Sequence, residues 1–259
     1  MSRRSRTLMF LAGAAVIATA LATTALHMPP FGTAHHPYGR RAVAAALRQH
    51  TANTVSSVNF DLRALDTMGE EYILFASVLG AVVLLRRARD ERVARPEPAR
   101  VSPPVTLLGV ALMPVALLVG VYVVAHGALT PGGGFQGGVL LATGLHIAYL
   151  AADYRVLRRV RPMVVLEAAD AVGAAAFAAL GLTGLVAGAA YLQNTLPLGT
   201  FGQLASAGLV PLLNAAVGLE VASGIVVLLA QFLEQAVEIT PPGPDRRPTT
   251  PPGPPPAHR

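Results

Sequence analysis

The stretch that decides the fold is Leu129-Thr130-Pro131-Gly132-Gly133-Gly134-Phe135-Gln136-Gly137-Gly138. It holds five of the 25 glycines in ten residues, and long apolar runs lie on both sides, residues 105–128 before it and 139–152 after it. Glycine occurs where the backbone turns sharply or approaches another group closely. Pro131 ends the preceding helix because proline fixes φ and lacks an N–H. The pattern indicates a tight loop between two membrane-length helices, or a backbone surface pressed against a neighbour.

Two nucleotide-binding interpretations of this stretch are disfavoured. Residues 132–137 satisfy G-x-G-x-x-G, but the dinucleotide fingerprint follows a β-strand in a βαβ unit. Here a membrane-length apolar run precedes it. A phosphate loop of the Walker type requires a lysine, and all 20 basic residues of the chain are Arg. The stretch therefore does not indicate a soluble nucleotide-binding domain.

The composition indicates an integral membrane protein. Of the 259 residues, 53% are hydrophobic and 13% are charged, whereas soluble domains carry roughly 25% charged residues. The chain has no Cys, so it has no disulfide frame and no thiolate metal site. The net charge of +6 comes from Arg clusters between apolar runs. That is the positive-inside pattern rather than a basic groove, so we expect no nucleic-acid partner.

The apolar runs predict an all-α integral membrane protein with about six transmembrane helices and both termini in the cytoplasm. The predicted inner segments hold 3, 6, 4 and 3 Arg and the outer segments hold 4, which satisfies the positive-inside rule. A cleaved signal peptide is the alternative for the first run, which we interpret as a permanent helix because h-regions usually span about 7–15 residues. The predicted helices span residues 7–26, 70–85, 105–125, 138–152, 163–190 and 209–232.

The chain divides into two predicted modules. Residues 1–95 form a two-helix module with an outer segment at 27–68, and residues 105–236 form a four-helix module. The Pro/Arg-rich residues 96–104 link them. Residues 237–259 are Pro-rich and predict a disordered tail.

The outer segment contains His27, His35, His36 and His50. A His-rich tract can bind metal, but His beside a proline in a loop is more often solvated. We therefore expect no metal and no cofactor. Residues 40–50 predict a short amphipathic helix at the membrane surface.

Ionisable residues inside the predicted helices are functional candidates, since a charge at mid-bilayer costs at least ~2.5–3.5 kcal/mol. Glu220 is the deepest, and its neighbours in sequence offer no cation. Ion handling and an interhelical hydrogen bond are both open for it. His146 is either a neutral side chain bonded to a backbone carbonyl or a titratable relay. His126 is expected to cap the third helix, because His suits a helix C-terminus.

Acidic pairs lie near the predicted ends of two helices. Glu167 and Asp170 are three residues apart on one face and close to the Arg cluster at 155–161, which favours a salt-bridged anchor. Glu70 and Glu71 begin the second predicted helix, where negative charge complements the helix dipole. No nucleophile–base–acid set is visible, so an enzyme acting on an organic substrate is improbable.

Residues 126–138, H-G-A-L-T-P-G-G-G-F-Q-G-G, resemble the signature of the MnhB/MrpB subunit of multisubunit Na+/H+ antiporters. The resemblance continues at residues 199–203 and 213–221. It covers residues 105–236, the four-helix module of that family.

A second resemblance lies in the first module. Residues 61–70, D-L-R-A-L-D-T-M-G-E, are similar to D-F-R-G-x-D-T-x-G-E in a small two-helix module. That module ends the largest polypeptide of many such antiporters or stands alone as the MbhE-type subunit of related hydrogenase complexes. Leu62 and Ala64 depart from the pattern. The chain thus resembles a fusion of that module to an MnhB-type subunit.

The resemblance implies a multi-pass subunit of a prokaryotic plasma-membrane complex that exchanges Na+ for H+ without covalent chemistry. Its partners would be the other antiporter subunits, the lipid bilayer, Na+ and H+. The family glutamate that matches Glu70 is implicated in ion translocation, although Glu71 beside it leaves the assignment open. The alternatives are a purely structural subunit, or a membrane subunit of a related hydrogenase or dehydrogenase. The ion-path candidates are Glu70, Glu220, Asp66, His146 and Asp170, and the expected packing residues are His126, Thr130, Pro131, Gly132, Gly133, Gly134, Phe135, Gln136, Gly137 and Gly138.

Overall fold

The structure, a computed structural model, describes residues 3–28, 36–85, 101–152 and 163–234. These residues form helices without any β-strand. Six of the helices, α1 and α4 to α8, are long and apolar enough to cross a membrane. This confirms the predicted all-α fold with six spans, while the cytoplasmic placement of both termini stays a prediction. The elements are α1 (Arg3–Leu26), α2 (Pro37–Arg48), α3 (Thr54–Ser57), a π-helix (Val58–Leu62), α4 (Ala64–Leu84), α5 (Pro103–Ala125), α6 (Gly134–Ala152), α7 (Met163–Val186) and α8 (Val210–Glu234).

The chain forms two compact units, Met1–Ala44 and Ala45–Arg259. The first contains α1 and most of α2, and α2 confirms the short amphipathic helix expected at residues 40–50. The second contains parts of both predicted modules. The predicted module boundaries stay predictions, and most of the linker, the tail at 237–259, His35 and the Arg cluster at 155–161 lie outside the described residues.

Helix α8 is the central helix of the second unit. It contacts α4, α5, α6 and α7, and α5 also packs along α6. The core joins Phe177 of α7 to Leu213, Val217 and Val221 of α8, with Phe60 of the π-helix 6.2 Å from Phe177 between ring centroids. Because four helices pack against α8, its Asn214, Glu220 and Ser223 side chains are buried in protein.

Helices α4 and α6 begin several residues before the positions at which the sequence predicts them to start. Helix α4 begins at Ala64, so Asp66 lies in its first turn, and the dipole argument applies to Asp66 rather than to Glu70 or Glu71. Hydropathy locates the apolar part of a helix and misses its polar first turns. Helix α6 begins at Gly134, inside the stretch expected to be a loop, because a side chain of α8 caps its first N–H.

Asn53 joins the segment before α4 to the turn after α5. Its side-chain oxygen accepts the N–H groups of Val55 and Ser56 and so caps α3. Its amide nitrogen donates to the carbonyl oxygens of Gly127 at 2.9 Å and Thr130 at 2.8 Å. One buried asparagine therefore connects residues that the sequence assigns to two different modules.

Candidate functional site

The glycine-rich stretch consists of a turn followed by the first turns of α6. Gly132 and Gly133 have φ of 129° and 144°, a region that L side chains rarely adopt. From Gly134 onward the stretch is helical. The prediction that residues 129–138 form one loop is therefore wrong for their second half.

The helical glycines of the stretch pack inside the chain. A Cβ at Gly134 would overlap the carbonyl oxygen of Asn214, and one at Gly138 would lie 2.8 Å from Cβ of Val221. Gly137 presses against Val124 of α5 in the same way. The absence of side chains at these glycines allows α6 to pack closely against α5 and α8.

Asn214 holds the stretch in place. It is fully buried on α8, and its side-chain oxygen accepts the N–H of Gly134 at 2.8 Å. Its amide nitrogen donates to the Ser56 hydroxyl at 3.2 Å and to the Val210 carbonyl at 3.0 Å. The first N–H of α6, which has no partner within its own helix, is thereby satisfied from α8.

The remaining residues of the stretch surround this contact. His126 ends α5, as expected; its Nδ1 bonds to the Tyr122 carbonyl at 3.0 Å, and its ring stacks on Tyr122 at 4.0 Å. The Thr130 hydroxyl donates to the His126 carbonyl. Phe135 and Gln136 are exposed on the first turn of α6.

A cavity of about 270 Å³ lies between the glycine-rich stretch and the first turns of α4. Residues 132–136 form one wall, and Asn214 and Ser56 lie beside them. Thr67, Glu70 and Glu71 of α4 line the opposite side. The cavity thus presents two carboxylates and several neutral oxygen atoms.

The two adjacent acids of this cavity differ in burial. Glu70, which the family resemblance implicates, is exposed. Glu71 is 3% exposed, and its Oε2 has no hydrogen-bond partner among the described residues. Adjacent residues point about 100° apart around a helix. Of these two glutamates, only Glu71 therefore lies on the face of α4 that packs against α8.

Two further acids are buried behind the cavity. Glu220 of α8 is 0% exposed, Asp170 of α7 is 4% exposed, and both carboxylates of this pair have oxygen atoms without a partner in the described structure. Gly173 of α7 packs on the backbone and Cβ of Glu220, and Gly224 of α8 packs on Asp170 Oδ1. Val217, which lines the cavity together with Glu71, lies about one helical turn before Glu220 on α8. The structure therefore buries three acids on α4, α7 and α8, three helices that contact one another.

The other predicted site residues lie apart from this cluster. Asp66 is exposed and pairs with Arg63, with Arg63 Nε 2.6 Å from Asp66 Oδ2. His146 is half-buried on α6, and its Nε2 has no partner in the described part of the chain. Glu167 is exposed although Asp170 is buried, so the two acids do not share one environment. The Arg residues expected to pair with them lie outside the described residues.

Asp61 is a half-buried carboxylate that the hydropathy and spacing patterns do not single out. Its Oδ1 accepts from Asn194 at 3.0 Å and its Oδ2 from the Ser57 hydroxyl at 3.2 Å. Asn194 also donates to the Ala207 carbonyl and accepts the Leu209 N–H. Asp61 thus supports the turn that leads into α8. Asp61 is the first residue of the stretch 61–70 that resembles the small two-helix module. That resemblance is the only sequence signal that points to Asp61.

Burial raises the pKa of Asp61 to about 6, against the opposing effect of the hydrogen bonds from Asn194 and Ser57. Since this pKa exceeds that of the unfolded chain, protonation favours the folded state. We expect protonation of Asp61 to raise the melting temperature of the wild-type chain in detergent as the pH falls from about 6 towards 4. This stabilisation is lost as the pH rises through about 6. Circular dichroism melts of wild type and Asp61→Asn measure this, and the variant should lack that part of the pH dependence. Identical pH profiles would contradict the prediction.

Comparison with known sequences supports a family assignment for the second half of the chain. Residues 104–227 match the family model described as a domain related to the MnhB subunit of Na+/H+ antiporter, which confirms the resemblance found in the sequence. An uncharacterized protein of Methanocaldococcus jannaschii is 28% identical over 202 residues, covering 67% of this chain and 74% of that protein.

Two solved structures of membrane complexes contain similar chains. One is the membrane-bound sulfane sulfur reductase, an archaeal respiratory membrane complex, with a TM-score of 0.67 and 29% identity over 88% of this chain and 98% of that chain. The other is the Mrp complex from Dietzia sp., with a TM-score of 0.65 and 25% identity over 93% of this chain but only 27% of that longer chain. The protein is thus similar to chains of multisubunit membrane complexes, and its residues 104–227 match the model of a domain related to the MnhB subunit of Na+/H+ antiporters.

Proposed function

We propose that this chain is a membrane subunit of a multisubunit monovalent cation/proton antiporter, with Na+ as the cation, in a prokaryotic plasma membrane. It contributes both to the ion path and to assembly with other antiporter subunits. The exchange is secondary transport without covalent chemistry. The MnhB-related domain and the similarity to a chain of the Mrp complex support this proposal.

The observation that carries the proposal is the burial of Glu220. Its carboxylate lies ten residues into the membrane-length helix α8, is 0% exposed, and has no hydrogen-bond partner among the described residues. A buried charge without a partner is costly, so this group holds a proton or a bound cation. A group that accepts either one in turn is what cation/proton exchange requires.

A second candidate function is a membrane subunit of a respiratory redox complex. The similarity to a chain of the sulfane sulfur reductase complex, which extends over 98% of that chain, favours it. The two functions share the membrane fold and differ in the subunits that assemble with this chain.

Purification of the complex from its native membrane through a tag on this chain distinguishes the two functions. For an antiporter, we expect only other antiporter subunits by mass spectrometry, and Na+-dependent dissipation of an imposed pH gradient after reconstitution into vesicles. Copurified redox subunits would favour the second candidate. The isolated chain should not transport ions, because its six spans lack the partner subunits that complete the path; activity of the isolated chain would contradict the proposed role.

A further inference from the structure

We propose that the cavity between the glycine-rich stretch and α4 is a binding site for a hydrated monovalent cation, with Glu71 rather than Glu70 as its charged ligand. This inference deepens the proposed antiporter function and rests on it. Three features of the described residues carry it: the burial of Glu71, the oxygen atoms around the cavity, and the charge balance of the acids behind it.

The first feature is the position of the Glu71 carboxylate. Glu71 lines the cavity although it is only 3% exposed, and its Oε2 has no hydrogen-bond partner in the described structure. Buried polar atoms are normally satisfied, and an exception requires a partner such as an ion or a proton. Glu70 lines the same cavity, but its side chain is exposed. Its negative charge is therefore less costly without a bound ion.

The second feature is the set of neutral oxygen atoms beside Glu71. Thr67 lies four residues earlier on the same helical face, and its hydroxyl donates to the Asn59 carbonyl, which leaves its oxygen able to coordinate a cation. Ser56 lines the cavity, and its hydroxyl oxygen accepts a hydrogen bond from the Asn214 side-chain amide. Oxygen ligands of this kind suit hard cations. The volume of about 270 Å³ is several times the roughly 30 Å³ that one water occupies in the liquid, so the ion can keep part of its hydration shell.

The third feature is charge balance. Helices α4, α7 and α8 contain no Arg, Lys or His, so no basic residue on these helices neutralises Glu71, Asp170 and Glu220. Within these three helices, only bound protons or ions can supply positive charge. Exchange of one proton for one monovalent cation leaves the net charge of the cluster unchanged. A divalent cation would require two protons to leave.

Coupling between the cavity and Glu220 follows from the same arrangement. Val217 of α8 lines the same cavity as Glu71 and lies about one helical turn before Glu220, and like charges in a poorly polarisable interior repel strongly. A cation bound at Glu71 cancels this repulsion and allows Glu220 to release its proton. By linkage, a proton on Glu220 and a cation at Glu71 affect each other equally.

The test compares Glu71→Gln with Glu70→Gln in the tagged, purified and reconstituted complex. We expect Glu71→Gln to raise the Na+ concentration for half-maximal proton flux about tenfold or more, or to abolish the flux, and Glu70→Gln to shift it less. Glu167→Gln, an exposed acid of α7, is the matched control. A wild-type Na+ dependence in an assembled Glu71→Gln complex, or a larger shift for Glu70→Gln, overturns the assignment.

A second measurement on the wild-type complex covers the case in which the Glu71 variant fails to assemble. A hydrophobic carbodiimide labels protonated carboxyl groups in apolar surroundings, and peptide mass spectrometry locates the label. We expect labelling of Glu71 that NaCl suppresses and choline chloride does not. Absent labelling, or labelling that NaCl leaves unchanged, overturns the cation site. This measurement needs no transport, so it tests the cation site separately from the antiporter function. Failure of the antiporter function would appear instead as copurified redox subunits and as absence of Na+-dependent flux.

Discussion

Replacement of Glu220 by glutamine is expected to lower Na+-dependent proton flux of the assembled complex to less than about one tenth of the wild-type value. A tenfold loss corresponds to an increase of only about 1.4 kcal/mol in the activation free energy. Glutamine keeps the size and hydrogen-bonding capacity of the side chain but cannot release a proton or carry a negative charge. Glu220 is 0% exposed and has no hydrogen-bond partner among the described residues. The measurement is the decay of an imposed pH gradient in vesicles on addition of NaCl.

The same variant separates conduction from a structural role. If Glu220 served only as an interhelical hydrogen-bonding group, glutamine would preserve that bond and the flux would persist. Size-exclusion chromatography should show normal assembly, since removal of one of three neighbouring acids relieves repulsion. Glu167→Gln serves as the control because its carboxylate is exposed on α7. Full flux in an assembled Glu220→Gln complex would remove Glu220 from the ion path.

Replacement of Gly134 by alanine is expected to destabilise the packing of α6 on α8. The added methyl group would overlap the Asn214 carbonyl oxygen and lie 2.7 Å from Cβ of Val217. Overpacking of this kind costs about 1–3 kcal/mol. Displacement of α6 would also break the bond between the Gly134 N–H and the Asn214 side chain, and leaving one buried partner unsatisfied costs about 1–3 kcal/mol more. Thermal melts of the purified chain in detergent measure the loss.

A matched glycine substitution provides the control for this experiment. Gly80 lies in α4, and a Cβ added there would meet no atom beyond its own stretch of helix within 4 Å in the described part of the chain, so Gly80→Ala should be neutral or should stabilise the helix by about 0.5–1 kcal/mol. Equal melting temperatures for Gly134→Ala and Gly80→Ala would contradict the close contact between α6 and α8.

The acidic residues show how far sequence reasoning reaches. Hydropathy identifies Glu220 as the deepest charge, and the structure places it in the centre of the bundle. The same reasoning does not separate Glu70 from Glu71, because both lie in one turn of a helix whose buried face depends on the position of α8. It also groups Glu167 with Asp170, although only Asp170 is turned towards Gly224 and buried.

The asparagines show what sequence reasoning misses. Asn53, Asn194 and Asn214 each connect segments distant in sequence through side-chain hydrogen bonds to backbone groups. A single asparagine in an apolar run or a loop has no pattern that reveals its partner. Asn214 lies in a family-like stretch, which marks its position but not its bond to Gly134.

The sequence by itself determined the membrane class, the number of spans and the resemblance of residues 105–236 to the MnhB/MrpB subunit, because helix length and apolar composition are local and the glycine-rich signature is contiguous. Only the tertiary structure decided that residues 134–138 are the start of α6 and that their glycines pack against α5 and α8. It also decided that Glu71, Asp170 and Glu220 are buried on three helices that contact one another. These outcomes depend on how helices rotate and pack against one another, and the close contact of Gly134 with Asn214 joins residues 80 positions apart in the chain.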